Sequence, residues 1–206
     1  MQICDLCKSR ECLQENPEKY HKNCPVNDGE FFEQTFEEYK KEENHAFYLG
    51  CSALEAEGYG KWPRLREIVE LCKARGYKKV GLAFCTGLHR EAEITASIMR
   101  YHGLAVSSVM CKTGGIAKER VGISPQDKLV PDAFEPMCNP IAQAELLNRE
   151  GTELNVVLGL CVGHDSLFYK YSRALVTTLV VKDRVLAHNP VGAIYCAETY
   201  MKGRLK

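Results

Sequence analysis

The sequence predicts an α/β fold, with an open, mainly parallel sheet that carries helices on both faces and a small cysteine-rich module in front of it. Two observations predict this architecture. From Lys79 onward, short apolar runs alternate with amphipathic segments, as strands and helices do in a parallel sheet. Residues 1–28, by contrast, hold four cysteines among polar residues and too few aliphatic side chains for a core of their own. We therefore divide the chain into a metal-binding module, residues 1–28, and an α/β domain, residues 29–206.

The composition limits the classes of function. The 206 residues include 27 Lys and Arg and 27 Asp and Glu, so no net positive charge is available to attract nucleic acid. No apolar run approaches the roughly 20 residues that cross a bilayer, and the first residues do not resemble a signal peptide. We therefore expect a cytoplasmic protein that binds neither nucleic acid nor membrane. Its 11 cysteines indicate metal binding or redox chemistry, because disulfides are rare in a reducing compartment.

The cysteines of the module predict a metal site with the ligands Cys4, Cys7, Cys12 and Cys24. In such short segments the free energy of metal binding serves as free energy of folding. The close spacing and the proline after Cys24 favour an iron–sulfur cluster, for which we expect the 4Fe–4S type, although the spacing is not that of ferredoxins. A structural zinc ion fits the opening Cys-x2-Cys pair equally well. The remaining alternative is a tail with unpaired surface cysteines.

Two helices are predicted between the module and the sheet. The first covers residues 30–43, where Phe31, Phe32, Phe36 and Tyr39 are spaced for one face, which we interpret as core packing. Residues 45–60 contain several glycines and predict no definite element. The second helix has Pro63 in its first turn and Gly76 just beyond its end, and it carries Cys72 on its apolar face.

The alternating pattern that follows predicts four strands and at least three helices. The strands are expected at residues 80–84, 104–110, 154–160 and 174–181, and the helices at residues 88–102, 165–171 and 190–201. Asn139 and Pro140 are suited to begin a further helix. Residues 112–136 are too many for an ordinary connection, which predicts a lid or a binding loop.

Three of the predicted strands end in a cysteine followed by a glycine-containing turn. These cysteines are Cys85, Cys111 and Cys161, and a fourth, Cys138, precedes the helix start at Asn139. Because the carboxyl ends of parallel strands meet at one edge of a sheet, we expect the four to converge. We predict that Cys111, Cys138 and Cys161 bind an iron–sulfur cluster, with Cys85 or a substrate as the fourth ligand.

Two other interpretations of these cysteines stay open. In one, Cys161 is a nucleophile assisted by His164 or His89. In the other, the cysteines are small apolar residues that cap buried strands. Both histidines begin helices next to the expected site, where an imidazole can bind metal or transfer a proton, and Arg90 follows His89. We therefore take Cys161, His164, His89 and Arg90 as the candidate catalytic residues.

Several motifs together resemble an uncharacterised prokaryotic family of predicted metal-binding proteins with an N-terminal cysteine cluster. They are the four-cysteine set ending in Cys24-Pro25, GLHREA at residues 87–92, MCNP at residues 137–140, GLCVGHDS at residues 159–166 and DRVLAHNP at residues 183–190. The resemblance covers almost the whole chain. It implies metal binding and does not imply a particular reaction.

The sequence thus predicts a metal-binding protein, with iron–sulfur as the first choice of cofactor. Its sheet-edge site would bind or activate a small anionic or sulfur-containing substrate, as an iron–sulfur-dependent lyase or sulfur-transfer enzyme does. One alternative is a non-catalytic zinc or redox sensor that docks to a partner protein. The other is a metal-free enzyme with a cysteine nucleophile. The expected partner is accordingly a small-molecule substrate or a redox partner protein.

Overall fold

The computed structural model of the chain describes residues 4–14 and 17–206. The chain forms two compact units, Met1–Glu57 and Gly58–Lys206.

The first unit consists of short helical turns followed by α-helices. Single 3-10 turns lie at Cys4–Leu6, Glu11–Leu13, Pro17–Lys19 and Pro25–Asn27. Helix α1 covers Gly29–Lys40, and α2 covers Glu42–Gly58, so that its last residue belongs to the second unit. The side chain of Asp28 caps α1 by accepting a hydrogen bond from the Phe31 N–H at 3.2 Å. Such a cap satisfies one of the unpaired N–H groups of the first turn.

The aromatic residues of α1 do not form the core that their spacing predicts. The side chains of Phe31, Phe32, Phe36 and Tyr39 are 53%, 42%, 56% and 47% exposed, and α1 contains no buried residue. The rings pack locally instead: Phe31 contacts Phe32 edge to face, and Tyr39 contacts Tyr48 in the same way. The core-packing interpretation was therefore wrong, because a periodic apolar stripe becomes a core only where another layer covers it.

The second unit alternates helices and strands. Its strands are β1 Lys79–Phe84, β2 Ala105–Met110, β3 Leu154–Leu158 and β4 Leu175–Val180. Its helices are α3 Arg64–Ala74, α4 His89–Tyr101, α5 Pro140–Glu150, α6 His164–Tyr171, α7 Val191–Tyr195 and α8 Lys202–Leu205. Short 3-10 turns lie at Thr86–Leu88, Lys118–Val121 and Pro125–Asp127.

The four strands form one parallel sheet in the order β2-β1-β3-β4. This confirms the predicted α/β class with an open parallel sheet. The chain moves outward from β1 to β2 and then returns to the other side of β1 to form β3. The direction of winding therefore reverses between β1 and β3, and such a reversal opens a crevice at the carboxyl ends of the strands.

Helices cover both faces of the sheet, as the sequence predicts. On one face, Val80, Leu82 and Phe84 of β1 belong to a core with buried residues of α3 and α4. On the other face, Ala83 and the following Cys85 belong to a core with buried residues of α5 and α6. The alternation follows from the period of two in a strand. Cys72 of α3 is fully buried in the first core, and burial raises the pKa of its thiol to about 11.

The structure also corrects some of the predicted elements. The segment predicted as one helix over residues 190–201 forms α7, a series of turns and then α8. The long segment from Lys112 to Pro136 folds back on itself through an antiparallel bridge between Ala117 and Pro136. Two ion pairs hold that segment, Lys118 with Glu135 and Lys128 with Glu119, each at 2.6 Å. None of the helices in the described residues is both long and apolar enough to pass through a membrane.

Candidate functional site

The site lies at the carboxyl edge of the sheet, where the turns after β1 and β2 begin. Cys85 follows β1, and its N–H donates to the Leu158 carbonyl of β3 at 3.1 Å. Cys111 follows β2, and its N–H donates to the Phe84 carbonyl of β1 at 2.8 Å. Both cysteines thus continue the ladder of the sheet by one residue. Both are buried, 7% and 3% exposed, on the face covered by α5 and α6.

Three thiols meet at this edge. The Cys111 side chain lies close enough to those of Cys85 and Cys138 to affect their ionisation, and all three belong to one packed cluster. The Thr86 N–H also donates to Cys111 Sγ, at 3.3 Å. Cys138 is half-buried, and the next residue anchors it: the Asn139 N–H donates to the Cys111 carbonyl at 2.7 Å, and Asn139 Oδ1 caps α5. Of the four cysteines that were expected to converge, Cys85, Cys111 and Cys138 therefore meet here.

The three thiols differ in their ease of ionisation. Hydrogen bonding from Cys111 lowers the pKa of Cys85, with further help from the Gly87 N–H and from Lys182. The same Cys111 contact lowers the pKa of Cys138, with help from the charges of Lys112 and His164. Conversely, its contacts with Cys138 and Cys85, together with burial, raise the pKa of Cys111. These shifts favour the thiolate form of Cys85 and Cys138 and the protonated form of Cys111 between them.

The Lys182 side chain passes beside Gly159 and Gly87 and reaches Cys85. A Cβ atom on Gly87 would lie 4.0 Å from both Cys85 Sγ and Lys182 Nζ. Gly159 adopts a φ of +67°, and the space around it leaves no room for a side chain. A Cβ atom there would lie 2.1 Å from Leu88 Cδ1 and 3.7 Å from Lys182 Cε. Glycine at position 159 therefore allows the chain to adopt the left-handed conformation just after β3, while the side chains of Leu88 and Lys182 pack over it.

The fourth predicted cysteine, Cys161, has a cationic partner. Arg184 Nη2 donates to Cys161 Sγ at 2.9 Å. The loop that carries Arg184 is held by Asp183, whose Oδ1 accepts from the N–H groups of Val185 and Leu186, each at 2.9 Å. His188 Nδ1 accepts from the Asp183 N–H at 3.1 Å.

The same loop contains two successive residues in the left-handed region, Ala187 at φ 50° and His188 at φ 64°. Non-glycine residues adopt this region at an energetic cost, which commonly occurs at functional sites. Two hydrogen bonds with Asp183 hold His188 in this conformation: its Nδ1 accepts from the Asp183 N–H, and its N–H donates to the Asp183 carbonyl at 2.8 Å.

Of the other predicted catalytic residues, His164 lies beside the thiols, whereas His89 and Arg90 are exposed at the start of α4. His164 begins α6 beside Cys161, with its N–H donating to the Cys161 carbonyl at 3.0 Å, and it lies near enough to Cys138 to act on the Cys138 charge. Its Nδ1 is buried and has no hydrogen-bond partner among the described residues. His89 and Arg90 are exposed at the start of α4, where the His89 ring packs against Phe84 edge to face. His164 is thus the histidine placed closest to the thiol chemistry.

Sequence reasoning missed Lys182 and Arg184 as parts of this site. Lys182 and Arg184 follow β4, at the same edge of the sheet as the cysteines. The rule that selected the cysteines, residues just beyond a parallel strand, could have selected these cations too. Lys112 follows Cys111 directly and donates to the Pro136 carbonyl at 2.6 Å.

The four N-terminal cysteines line a single cavity of about 450 Å³, together with His21 and Glu11. Cys4, Cys7 and Cys12 are exposed and Cys24 is half-buried. Hydrogen bonds from the Arg10 N–H and the Ser9 hydroxyl lower the pKa of Cys7. Glu11 Oε2 is buried and has no hydrogen-bond partner within residues 4–14 and 17–206.

As they stand, the described residues contain no group of three or more His, Cys, Asp or Glu side chains arranged to hold a metal ion. The donor chemistry of the N-terminal cavity nevertheless suits one, because thiolates are the preferred ligands of zinc and of iron–sulfur clusters. An unpaired buried carboxylate oxygen in the same cavity is costly and would be relieved by a nearby cation.

Comparison with known proteins identifies a family. Residues 24–179 match a family described as a protein of unknown function (DUF1847). The chain is 50% identical over 174 residues to an uncharacterised protein of Methanocaldococcus jannaschii, which covers 84% of this chain and 88% of that protein. No solved structure matches the chain. The family match includes the four sheet-edge cysteines and Cys24.

Proposed function

We propose that this chain, which belongs to the DUF1847 family of proteins of unknown function, is a metal-binding protein whose α/β unit carries a separate thiolate site for a small anionic substrate. The observation that carries the metal-binding part is the single cavity lined by Cys4, Cys7, Cys12 and Cys24. The two sites use different cysteines, so they can be tested separately.

The N-terminal segment needs a stabilising element other than a hydrophobic core. Its turns at Cys4–Leu6, Glu11–Leu13 and Pro25–Asn27 contain no buried residue, and its cysteines are free thiols. Metal binding would supply that element, since it couples directly to folding in small modules. When bound there, the metal centre would crosslink the segment through the four thiolates.

The open arrangement of the cysteines supports the choice of an iron–sulfur cluster over zinc. A tetrahedral zinc ion with Zn–S bonds of roughly 2.3 Å draws its four sulfur ligands to about 3.8 Å from one another. The four cysteines here line the cavity together with ten other residues, and the described residues contain no group of three or more such side chains drawn together in this way. A cluster, which places several iron and sulfide atoms between its cysteine ligands, suits the more open arrangement.

Metal analysis after purification without oxygen tests this part of the proposal. We expect iron and acid-labile sulfide in the purified protein, with a visible absorption band. Cys12→Ser should lose most of this content, whereas the matched control Cys196→Ser, a cysteine outside both sites, should keep it. Zinc without sulfide would show that the four cysteines bind a structural zinc ion and not a cluster. Metal-free protein of unchanged fold would overturn metal binding altogether.

The substrate part of the proposal is supported by the charges at the sheet edge. Lys182 contacts Cys85, Lys112 contacts Cys138, and Arg184 contacts Cys161. Cations beside thiolates favour an anionic ligand and keep a thiolate available as nucleophile. This observation favours thiol chemistry without metal at the edge. The cluster expected there from the sequence, on Cys111, Cys138 and Cys161 with Cys85, stays a prediction, which the iron content of Cys111→Ser would test.

A further inference from the structure

We propose that Cys138, Cys111 and Cys85 form a relay of three thiols that reduces small anionic disulfides by thiol–disulfide exchange. The proposal rests on the sheet-edge part of the proposed function, for which it names the reaction and the substrate class. It does not depend on the N-terminal metal site, because none of the three cysteines belongs to that cavity.

The position of Cys85 and Cys111 in the sheet permits a disulfide between them. Phe84 and Met110 are register partners in the parallel β1–β2 pair, so the next two residues lie side by side. Neighbouring strands are about 4.8 Å apart. Disulfides join residues whose Cα atoms are roughly 4.4–6.8 Å apart. Both side chains lie in the core on the same face of the sheet, so the two sulfurs are on the same side.

The burial of the three thiols sets the order of the relay. Cys138 is half-buried, whereas Cys85 and Cys111 are 7% and 3% exposed. An external disulfide therefore meets Cys138 first. The central thiol, Cys111, contacts both neighbours and can pair with either. A bulky protein disulfide would not reach these recessed sulfurs, so the substrate must be small.

The reaction proceeds in three exchanges. The Cys138 thiolate attacks one sulfur of the substrate RSSR, which breaks the S–S bond, releases RS⁻ and leaves R bound to Cys138 as a mixed disulfide. Cys111 loses its proton, attacks Cys138 Sγ and releases the second RS⁻ as the Cys111–Cys138 disulfide forms. The Cys85 thiolate then attacks Cys111 Sγ and frees Cys138 as a thiolate.

The net reaction balances. The protein is oxidised by two electrons and ends with a Cys85–Cys111 disulfide, and the substrate is reduced to two thiol equivalents. The proton given up by Cys111 goes to a released RS⁻. His164, whose Nδ1 is buried without a hydrogen-bond partner in the described part of the chain, lies near Cys138, where RS⁻ is released.

The charge of the site selects the substrate. The charged side chains that act on the two outer thiols are Lys182 at Cys85, and Lys112 and His164 at Cys138. Glu135 also lies near Lys112, but it is paired with Lys118 at 2.6 Å. A disulfide with carboxylate arms is therefore attracted to the site, and one with ammonium arms is repelled.

Peptide mapping by mass spectrometry tests the relay in the full-length protein, purified reduced and without oxygen. The probe is 3,3′-dithiodipropionate, and cystamine, of similar length and opposite charge, is its control. In the wild-type protein we expect a Cys85–Cys111 disulfide. Cys111→Ser should stop the reaction with half of the probe bound to Cys138, and Cys85→Ser should stop it at a Cys111–Cys138 disulfide. Cys196→Ser should behave as the wild type.

The charge control has its own expected result. Dithiodipropionate should react at Cys138 at least about tenfold faster than cystamine, and Lys112→Met should reduce that ratio. Unchanged formation of the Cys85–Cys111 disulfide in Cys138→Ser would overturn the relay, because it would show entry at another thiol.

The remaining outcomes separate this inference from the proposed function. A charge preference at Cys138 without any disulfide among the three cysteines in the wild-type protein would overturn the relay and leave the anionic substrate site standing. Equal rates for the two probes would overturn both. Iron or zinc that is lost in Cys138→Ser and that blocks the reaction of the wild-type protein would identify a metal site instead of a relay.

Discussion

At the level of single residues, the sheet-edge site shows why cysteines could be located from the sequence and their ionisation could not. The positions of Cys85 and Cys111 follow from the ends of two strands, which apolar runs reveal. Their charge state depends on Lys182, which lies about a hundred residues further along the chain, and on Cys138, which arrives on another loop. Such contacts between distant segments leave no local signal in the sequence.

The lowered pKa of Cys138 predicts a distinctive pH dependence of its alkylation. Iodoacetamide reacts with thiolates, so the rate at Cys138 should stay near its maximum at neutral pH and fall only in acid. In the urea-denatured chain the same residue should need a pH near the ordinary value of 9.0. In the folded protein, Lys112→Met should raise the pH at which Cys138 alkylation is half-maximal, because it removes one of the charges that stabilise the thiolate. Mass spectrometry of the Cys138 peptide across the pH range measures this.

The same shift has a consequence for stability. Because the folded state favours the thiolate, the contribution of Cys138 to the free energy of unfolding is full above pH 9.0 and is lost as the pH falls through the lower, folded-state pKa. A Cys138 alkylation midpoint that is the same in folded and denatured protein would contradict the electrostatic description of the site.

At the level of elements, patterns predicted the helices and strands that bury a face, and also α1, which buries none, but they failed for α2 and for the C-terminal segment. The four strands and α3 to α6 were all expected, because their apolar residues recur with the period of the structure. Helix α2 was not predicted, since its only buried residue is Gly58. The predicted C-terminal helix breaks up for a related reason: Ile194, Tyr195 and Tyr200 are exposed, and Met201 alone of that stretch is buried.

The start of α5 connects helix stability with the thiol site, which gives a prediction at this scale. Asn139 Oδ1 accepts a hydrogen bond from the Ala142 N–H at 3.1 Å. Asn139→Ala should lower the free energy of unfolding by about 1 kcal/mol, the usual effect of removing such a cap. It should also slow formation of disulfides at Cys138, because the capped turn fixes that residue beside Cys111. Urea denaturation and peptide mapping measure the two effects.

Asn139→Ser is the matched control, because serine caps a helix nearly as well and should restore most of both properties. The backbone hydrogen bond from the Asn139 N–H to the Cys111 carbonyl remains in both variants. A loss of stability in Asn139→Ala without any change at Cys138 would show that the cap supports the helix alone.

At the level of the whole molecule, the sequence predicted the α/β class and the meeting of cysteines at one edge, but not the strand order. Periodicity identifies strands without identifying neighbours, and the order β2-β1-β3-β4 depends on which way each connection winds. That order places the ends of β1 and β2 side by side, and Cys85 and Cys111 contact each other for this reason.

The two units differ in what stabilises them, which predicts different responses to metal removal. The Gly58–Lys206 unit has a hydrophobic core on each face of its sheet. The N-terminal turns at Cys4–Leu6, Glu11–Leu13 and Pro25–Asn27 contain no buried residue. If the N-terminal cysteines bind a metal as proposed, chelation should unfold the cysteine-lined segment and leave the sheet intact, because the sheet has its own core.

Limited proteolysis with and without chelator, monitored by mass spectrometry, measures this. We expect cleavage within residues 4–27 to become at least several-fold faster on chelation, while a fragment containing Gly58–Lys206 persists and keeps its circular dichroism. Cys12→Ser should be cleaved rapidly even without chelator, and Cys196→Ser should match the wild type. Simultaneous loss of the sheet signal on chelation would place an essential metal in the α/β unit, and it would then favour the cluster on the sheet-edge cysteines over the thiol relay.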